Sequence, residues 1–521
     1  MLGLALVVAS LAFVAHRALV PLAETDLFFH LKLGDLIRAQ HAIPFRNLFS
    51  FTYPDHPDPD LSWGFQVAVS WLYAQGGFPA IVVFKTTLIV VASALAWRAA
   101  QLAGASPTAC ACATVLTIHA ADQRLVERPH LVTFVGLGVL SILLEHVRQG
   151  RERLLWLVPP LALVWANFHA GVFLCIVALA CFGLERPSRR WLLVLALSTL
   201  ATVATPAGMR LPSYLLWHTG LGATRVIEEF RRATLYSDPW FFACIAVVTV
   251  GAVRGRLVRR VVPLLLVGVL AWRSVRFVAE WAFLATPLLA LALSRPMGGA
   301  FDAWRRPLGV LGVCGLVGGI LVERRDAPFS LALSPDVVPF AAIDYVTRNG
   351  LRDRLYEDLD VGCYLLWEGW PRWQVFQDAR LPAYPDDFHR ALDRTPLDPA
   401  AFDALLQRYG VDAALLSEPD VNMRAGSFDP SVWALVYRRD DAMIFVRRSG
   451  HADLVARDEL PLRIRFRWLG GSSVEPLWSP SGGIDACDWS RRLVRALVEA
   501  DQPSLAIEAH SRAQTAGCVI R

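Results

Sequence analysis

The chain has 521 residues, of which 55% are hydrophobic and 19% charged, and its formal net charge is +5. Apolar runs recur as far as residue 322, and many approach the ~20 residues that a helix needs to cross the ~30 Å hydrocarbon core of a bilayer. This composition excludes an ordinary soluble enzyme. Much of the positive charge lies in short loops between the runs, so we expect no nucleic-acid partner. Nine scattered cysteines predict neither a metal site nor a disulfide framework.

Eleven segments are predicted to span the membrane as helices. They cover residues 2–20, 78–97, 107–121, 130–147, 154–169, 170–184, 190–206, 237–253, 259–272, 277–294 and 307–323. Connections that carry arginine occur at Arg98 and in 148–153, 185–190, 254–260 and 295–306, and the positive-inside rule assigns them to the cytoplasm. We therefore expect a cytoplasmic N-terminus, and a chain that lies outside the cytoplasm beyond about residue 325.

Residues 21–77 form the predicted first external loop. The stretches 26–40 and 61–77 are amphipathic, and we expect both to lie flat on the outer leaflet rather than to cross it. In the first of them the apolar residues Phe29, Leu33, Leu36 and Ile37 recur at helical spacing. Glu24 and Asp26 stand directly after the first span. They either face a substrate above the leaflet or only cap the helix 26–40, since acids favour a helix N-terminus.

An acidic residue at the start of the first external loop, surface-lying helices in that loop and many later spans together resemble the GT-C superfamily of membrane glycosyltransferases. The similarity is greatest to the bacterial branch near the protein mannosyltransferases and the lipopolysaccharide-modifying sugar transferases. The segments that carry it are ETDLFFHLKLGDLI (24–37), AIPFRNLFSFT (42–52), SWGFQVAVSWLYAQGG (62–77), ERPH (127–130), WANFHAG (165–171), VIEEF (226–230) and RSVRF (273–277).

The resemblance implies a mainly α fold, namely a polytopic helical bundle over residues 1–325 followed by a soluble domain. It also implies transfer of a sugar from a polyprenyl-phosphate donor to a glycan, lipid or protein acceptor at the outer face of a bacterial inner membrane. Many members have two adjacent acids or Asp-x-Asp, whereas here the order is Glu24-Thr25-Asp26. That departure leaves open which acid does the chemistry and whether a divalent metal takes part. A transporter or flippase for a lipid-linked substrate, and a catalytically silent scaffold for envelope assembly, are the alternatives.

The transfer needs a base that takes a proton from the acceptor hydroxyl, and Asp26 is the first candidate for it, with Glu24 the second. His30 lies one helical turn after Asp26, where it either orients that carboxylate or holds the acceptor. Alternatively, its ring is only a polar tip at the interface. The departing lipid phosphate needs cations, and the guanidinium fork suits phosphate geometry. Arg128, Arg273 and Arg276 are candidates on the outer side, although any outer-leaflet arginine can instead bind lipid headgroups.

Four further polar residues are predicted to bind substrate. Lys85 lies ~10 Å deep in the span 78–97, where a charge is costly unless the side chain snorkels or faces a polar cavity. Asn167 and His169 interrupt an apolar stretch where the chain turns at the outer face, and a structural hydrogen-bonding role is the alternative for the histidine. Glu228, in the external loop 207–236, either binds acceptor hydroxyls or pairs with the arginines that follow it.

After the last span, residues 335–450 are predicted to form an extracytoplasmic α/β domain. Helices are expected in PFAAIDYVTRNG (339–350) and DPAAFDALLQRYG (398–410), a strand in VDAALLS (411–417) and a hairpin in WALVYRR (433–439) and AMIFVRR (442–448). RLYED (354–358), CYLLWEG (363–369) and QVFQDAR (374–380) are read as short strands or buried turns. Asp378 and Arg380 either touch an acceptor or form a structural ion pair. Residues 451–521 are predicted to be a linker rich in Gly, Ser and Pro, followed by a pair of short helices.

Overall fold

The computed structural model describes residues 2–218, 228–255, 258–294, 299–326, 329–394, 398–417, 424–439, 442–467, 471–479 and 484–520. The chain forms two compact units. The first comprises Met1–Pro44 and Pro59–Ser334, and the second comprises Phe45–Asp58 and Pro335–Arg521. A short segment of the predicted first external loop therefore folds with the C-terminal part of the chain.

The described part of the first unit is built from helices. They are α1 (Leu2–Ala18), α2 (Asp26–Gln40), α3 (Trp63–Leu102), α4 (Pro107–Ala121), α5 (His130–Arg148), α6 (Val158–Phe168), α7 (Phe173–Phe182), α8 (Arg189–Val203), α9 (Arg210–His218), α10 (Pro239–Gly255), α11 (Val258–Arg273), α12 (Val278–Ser294) and α13 (Gly299–Asp326). Short 3₁₀ turns at Asp122–Arg124, Glu152–Leu157, Ala170–Val172, Glu228–Phe230 and Val275–Phe277 join or extend several of them.

Each of the eleven predicted spans coincides with a helix of this unit. Among the described residues, three helical segments are long and apolar enough to cross a membrane: Trp63–Leu102, His130–Arg148 and Val275–Ser294. Shorter apolar helices occur at Leu2–Ala18, Ala170–Phe182, Pro239–Gly255 and Gly309–Glu323. The mainly helical fold is confirmed, whereas the number of membrane crossings stays a prediction.

Helix α3 joins a predicted surface stretch to a predicted span without an intervening loop. The backbone leaves helical geometry only at Gly76 and Gly77, where the predicted span begins. Gly77 has a φ of 61°, a left-handed conformation that glycine adopts without the penalty a Cβ atom brings. The kink therefore divides α3 into two helices where the sequence changes from amphipathic to continuously apolar.

The apolar face of α2 is buried against protein. Phe29, Leu33 and Ile37 are almost inaccessible, although the sequence suggested that they would lie on the leaflet. The reason is the close packing of α2 on α3 at Gly34. A Cβ atom at that position would lie 2.1 Å from the carbonyl oxygen of Gln66. The missing side chain lets two backbones approach and fixes the end of the loop that carries Glu24 and Asp26.

The second unit contains a four-stranded mixed sheet. Its strands are β1 (Leu355–Glu357), β2 (Ala413–Leu416), β3 (Trp433–Arg439) and β4 (Ala442–Arg447), in the order β1-β2-β4-β3. β1 and β2 are parallel, while β4 is antiparallel to both of its neighbours. Helices at Phe340–Arg348, Leu359–Gly369, Asp386–Arg394, Pro399–Arg408 and Ala452–Asp458 accompany the sheet. The predicted strand β2, the hairpin and the helices at 339–350 and 398–410 are all present.

Two sequence-based expectations about secondary structure in this unit were wrong, and one disulfide was not predicted. Residues Leu359–Gly369 form a helix rather than a strand or turn, because the Asp358 side chain accepts hydrogen bonds from the backbone N–H groups of Asp360 and Val361 and so caps it. The expected linker contains an antiparallel hairpin of β5 (Leu462–Arg467) and β6 (Gly471–Pro476). The terminal helices, Ala486–Glu499 and Pro503–Thr515, are present, and a disulfide joins Cys487 to Cys518.

Candidate active site

The guanidinium of Arg128 is the centre of an ionic network in the first unit. Its Nη2 donates to Glu24 Oε1 at 2.5 Å, and its Nε lies 3.0 Å from Asp26 Oδ2. Its Nη1 donates to Glu229 Oε1. The three carboxylates come from two distant segments, the start of α2 with the turn before it and the 3₁₀ turn Glu228–Phe230, and Arg128 itself lies just before α5. The fold thus brings the predicted acids together with one predicted arginine.

Two further arginines face Glu229 from the other side. Arg124 Nη1 donates to Glu229 Oε1 at 2.8 Å, and Arg276 Nη1 lies 3.8 Å from Glu229 Oε2. Arg276 also stacks over the ring of Phe230, 5.4 Å from its centroid. The network therefore has an acidic end at Glu24 and Asp26 and a basic end at Arg124 and Arg276. Arg128 and Glu229 lie between the two ends.

Burial and charge shift the pKa of Glu24 and Glu229 in opposite directions. Burial raises the pKa of Glu24 to about 7, because the attraction of Arg128 is shared with other acids and Asp26 adds repulsion. Burial also acts to raise the pKa of Glu229, but the guanidiniums of Arg128, Arg124 and Arg276 outweigh it and lower that pKa to about 2. At neutral pH the site therefore contains one carboxyl group near its titration point and one that stays ionised.

A buried ion pair fixes the backbone that carries the acids. Glu127 Oε1 accepts hydrogen bonds from the backbone N–H groups of Ala23 and Glu24, at 2.9 and 3.0 Å. Glu127 Oε2 accepts a hydrogen bond of 3.1 Å from Lys85 Nζ, which also donates to the carbonyl of Val20 at 3.2 Å. The exposed fractions of the Lys85 and Glu127 side chains are 1% and 2%. The pair therefore holds the acid-bearing turn from both of its ends.

The same turn is also anchored on its other edge. The backbone N–H of Leu22 donates to the carbonyl of Ala332 at 3.0 Å, and the N–H of Ser334 donates to the carbonyl of Leu22 at 2.7 Å. Leu22 and Leu333 form a parallel bridge. Because both edges of the turn are hydrogen-bonded, the backbone that carries Glu24 and Asp26 is held in place. A catalytic group needs such support to keep its geometry.

His30 is buried in the first turns of α2, close to the acids. Its ring packs against Phe29 and Phe65, at centroid distances of 4.1 and 5.4 Å, and its exposed fraction is 5%. Burial, with the nearby positive charge of Arg128, lowers the pKa of His30 to about 3. The imidazole is therefore neutral. Its role in holding the acceptor stays a prediction.

Asn167 and His169 each have partners within the bundle. Asn167 Oδ1 accepts a hydrogen bond of 2.8 Å from Trp63 Nε1. His169 Nδ1 lies 2.7 Å from Thr133 Oγ1, which also accepts a bond of 3.0 Å from Trp165 Nε1. These bonds tie α6 to α3 and α5. They give both residues a structural function, and substrate binding by either one stays a prediction.

The remaining predicted binding residues are placed differently. Lys85 is used by Glu127 rather than open to the surface. Arg273 ends α11 and is exposed. The side chain of Glu228 lies outside the described residues, while its neighbour Glu229 is the one that enters the network. The sequence analysis missed Glu127 as a site residue, although it stood in a segment quoted for the resemblance. Of the adjacent acids Glu228 and Glu229, only the fold shows that Glu229 contacts Arg128.

The carboxylates of this site do not form a metal centre in their present arrangement. Among the residues that the structure describes, no group of three or more His, Cys, Asp or Glu side chains is placed to hold a metal ion. Glu24, Asp26 and Glu229 converge instead on a guanidinium. The residues present therefore do not fit the divalent metal that the resemblance left open.

Comparison with known proteins finds solved structures with a similar fold but no match by sequence. A scan of protein-family models and a search of curated proteins each find no match to this sequence. The archaeal oligosaccharyltransferase AglB from Archaeoglobus fulgidus, in complex with an inhibitory peptide and a dolichol-phosphate, is similar with a TM-score of 0.56 at 11% identity, over 81% of this chain and 70% of that one.

Two further solved structures are also similar. The same archaeal oligosaccharyltransferase in its apo form has a TM-score of 0.55 at 10% identity, with the same shares covered. ArnT from Cupriavidus metallidurans, bound to undecaprenyl phosphate, has a TM-score of 0.43 at 12% identity over 84% of this chain and 97% of that one. From the similarity to AglB we conclude that the chain has the fold of the GT-C membrane glycosyltransferases.

Proposed function

We propose that this protein is a membrane glycosyltransferase that moves a sugar from a polyprenyl-phosphate donor to an acceptor outside the cytoplasm. The observation that carries the proposal is the polar network around Arg128, which has a carboxylate pair at one end and two arginines at the other. The fold shared with an oligosaccharyltransferase that was solved with a dolichol-phosphate supports the same class of donor.

The acidic end supplies the base. In the proposed reaction the Asp26 carboxylate takes the proton of an acceptor hydroxyl while the hydroxyl oxygen bonds to the anomeric carbon of the donor sugar. Glu24 is the second candidate, and its pKa of about 7 makes it a stronger base than an ordinary carboxylate. A single displacement of this kind inverts the anomeric configuration.

The basic end stabilises the leaving group. As the bond between the anomeric carbon and the phosphate oxygen breaks, the electron pair stays on the lipid phosphate, which leaves with additional negative charge. Arg276 is half-buried and Arg124 is buried beside Glu229, so both lie where a phosphate can meet a guanidinium fork out of bulk water. Arg128 is bonded to three carboxylates, and we therefore assign the phosphate to Arg276 and Arg124.

We also propose the orientation in the membrane, with a cytoplasmic N-terminus and an extracytoplasmic C-terminal domain in a bacterial inner membrane. The Cys487–Cys518 disulfide supports it, because disulfides persist in oxidising compartments and are rare in the cytoplasm. Cells treated with a membrane-impermeant thiol reagent after mild reduction should show labelling of these two cysteines. Labelling only after lysis would place the domain in the cytoplasm.

The test of the activity is transfer by the purified full-length protein in lipid nanodiscs. Radiolabelled polyprenyl-phosphate sugars of several types are supplied with a mixture of glycan, lipid and protein acceptors, and the anomeric configuration of the product is read by NMR. We expect transfer with inversion from at least one donor. Donor movement across liposomes without any transfer would favour the flippase alternative, and neither activity would favour a scaffold.

A further inference from the structure

We propose that Arg128 is the resident cation of the acidic site and that its guanidinium takes the place of a divalent metal ion. The inference rests on the proposed function only where it concerns catalysis, because the identity of the cation between the carboxylates does not depend on the activity. For the proposed transfer it means that no divalent metal ion is required at this position.

The contacts of Arg128 are those of a cation shared among several ligands. Nη2, Nε and Nη1 each face a different carboxylate, those of Glu24, Asp26 and Glu229. All three guanidinium nitrogens therefore lie within ion-pair distance of a carboxylate oxygen. A lysine ammonium is a compact point charge without this fixed fork, and it does not reproduce three oriented contacts at once.

Burial makes this cation hard to exchange. The exposed fractions of the four side chains lie between 16% and 25%, so the carboxylates are partly desolvated and repel each other strongly unless a positive charge lies between them. Arg128 directly follows Glu127 in the chain, and that glutamate is held in a buried ion pair with Lys85. The protein thus positions its own counter-ion instead of recruiting one from solution.

Removal of the guanidinium leaves the ligand type that hard divalent cations prefer. Carboxylate oxygens from two or three acids suit Mg²⁺ and Mn²⁺, whereas a guanidinium at the centre repels such ions and fills their space. Wild-type protein is therefore expected to bind no divalent cation at this position. The Arg128→Ala variant is expected to bind one after modest rearrangement of the side chains.

The experiment measures Mn²⁺ binding by electron paramagnetic resonance on the full chain in nanodiscs. Wild type, Arg128→Ala, the double variant Arg128→Ala/Glu229→Gln and the surface control Arg98→Ala are titrated with Mn²⁺ from micromolar to millimolar concentration. We expect one additional Mn²⁺ per chain in Arg128→Ala, binding at least tenfold tighter than any site of wild type or Arg98→Ala. The double variant should lose most of that gain. Equal Mn²⁺ binding by wild type and Arg128→Ala would overturn the inference.

A second measurement does not depend on whether Arg128→Ala folds. Wild-type transfer is compared before and after dialysis against EDTA, and we expect the rate to change less than twofold. A loss of tenfold or more that Mn²⁺ or Mg²⁺ restores would overturn the inference even if transfer itself is confirmed. If wild type transfers nothing from any donor, the proposed function fails, and the Mn²⁺ titration still decides the role of Arg128.

Discussion

Arg128 and Arg380 each lie between carboxylates, and the two networks differ in how far their side chains are exposed to solvent. In the first unit Arg128 is 18% exposed, and its acids Glu24, Asp26 and Glu229 are 16%, 18% and 25% exposed. In the second unit Arg380 is 5% exposed, and its acids Asp378 and Asp58 are 0% and 8% exposed. The network around Arg128 is partly exposed, and the network around Arg380 is closed to solvent.

The closed network is also saturated with hydrogen bonds. Asp378 accepts from Arg380 Nε and Nη2 and from the hydroxyl of Tyr384 at 2.9 Å. Arg380 also donates to Asp58 Oδ2 and to Asn47 Oδ1, and it stacks over Phe49. A sealed, fully paired ion network holds the segment Phe45–Asp58 in its unit. The same residue types around Arg128 are more exposed, and we propose that they supply groups for a reaction.

The largest effect on stability is expected from Arg380→Met. The substitution leaves the carboxylates of Asp378 and Asp58 buried without their cation, which costs about 3–5 kcal/mol. Amide hydrogen exchange of strands β1 to β4 in the full-length protein should accelerate accordingly. The matched control is Arg348→Met, because Arg348 forms an exposed i,i+4 pair with Asp344 and should leave exchange unchanged. Equal exchange in both variants would contradict the structural role of Arg380.

A smaller effect is expected from Glu127→Gln, which breaks the pair that fixes the acid-bearing turn. The neutral side chain leaves the Lys85 ammonium without a counter-charge and weakens the bonds to the Ala23 and Glu24 amides, at a cost of about 1.5–3 kcal/mol. We expect faster exchange of those two amides and a fall of about tenfold in kcat with little change in KM. The double variant Lys85→Met/Glu127→Gln should recover part of the stability. A fall in kcat/KM with no change in kcat would indicate instead that Lys85 binds substrate directly.

The smallest effect concerns pH. Since the folded protein keeps the proton of Glu24 up to a pH of about 7, whereas the unfolded chain releases it near 4.5, stability should fall as pH rises through that interval. The change is about 2 kcal/mol and should appear as a drop in the melting temperature between pH 5 and pH 7.5. Glu24→Gln should remove the slope. A slope of the opposite sign in wild type would mean that Arg128 lowers the pKa of Glu24.

The helical architecture followed from the sequence, because a run of apolar residues in a membrane has no other way to pair its backbone than a helix. The errors lie where local signals compete. CYLLWEG is rich in residues that favour strands, yet the capping side chain of Asp358 starts a helix there. The alternation in RIRFR marked strand β5, but the Gly and Ser residues after it suggested a linker. Cys487 and Cys518 are 31 residues apart and match no known spacing, so their bond required the fold.

At the candidate site the sequence indicated Glu24, Asp26, Arg128 and Arg276 from their positions beside spans. It did not reveal which side chains contact each other, because Glu229 and Glu127 pair with partners about 100 and 40 residues away. Such pairings depend on how helices pack and leave no trace in local periodicity. The opposing pKa shifts of Glu24 and Glu229 also depend on packing, because burial acts to raise both pKa values and only beside Glu229 do three arginines outweigh it.

The most direct test compares two substitutions of the same chemistry, Asp26→Asn and Asp378→Asn, in one transfer assay with melting temperatures measured alongside. We predict that Asp26→Asn lowers kcat by about 10²–10⁴-fold with a melting temperature close to that of wild type, because only the base is lost. Asp378→Asn should lower the melting temperature and leave most of kcat in the protein that remains folded. Undiminished transfer by folded Asp26→Asn would contradict the assignment of the active site.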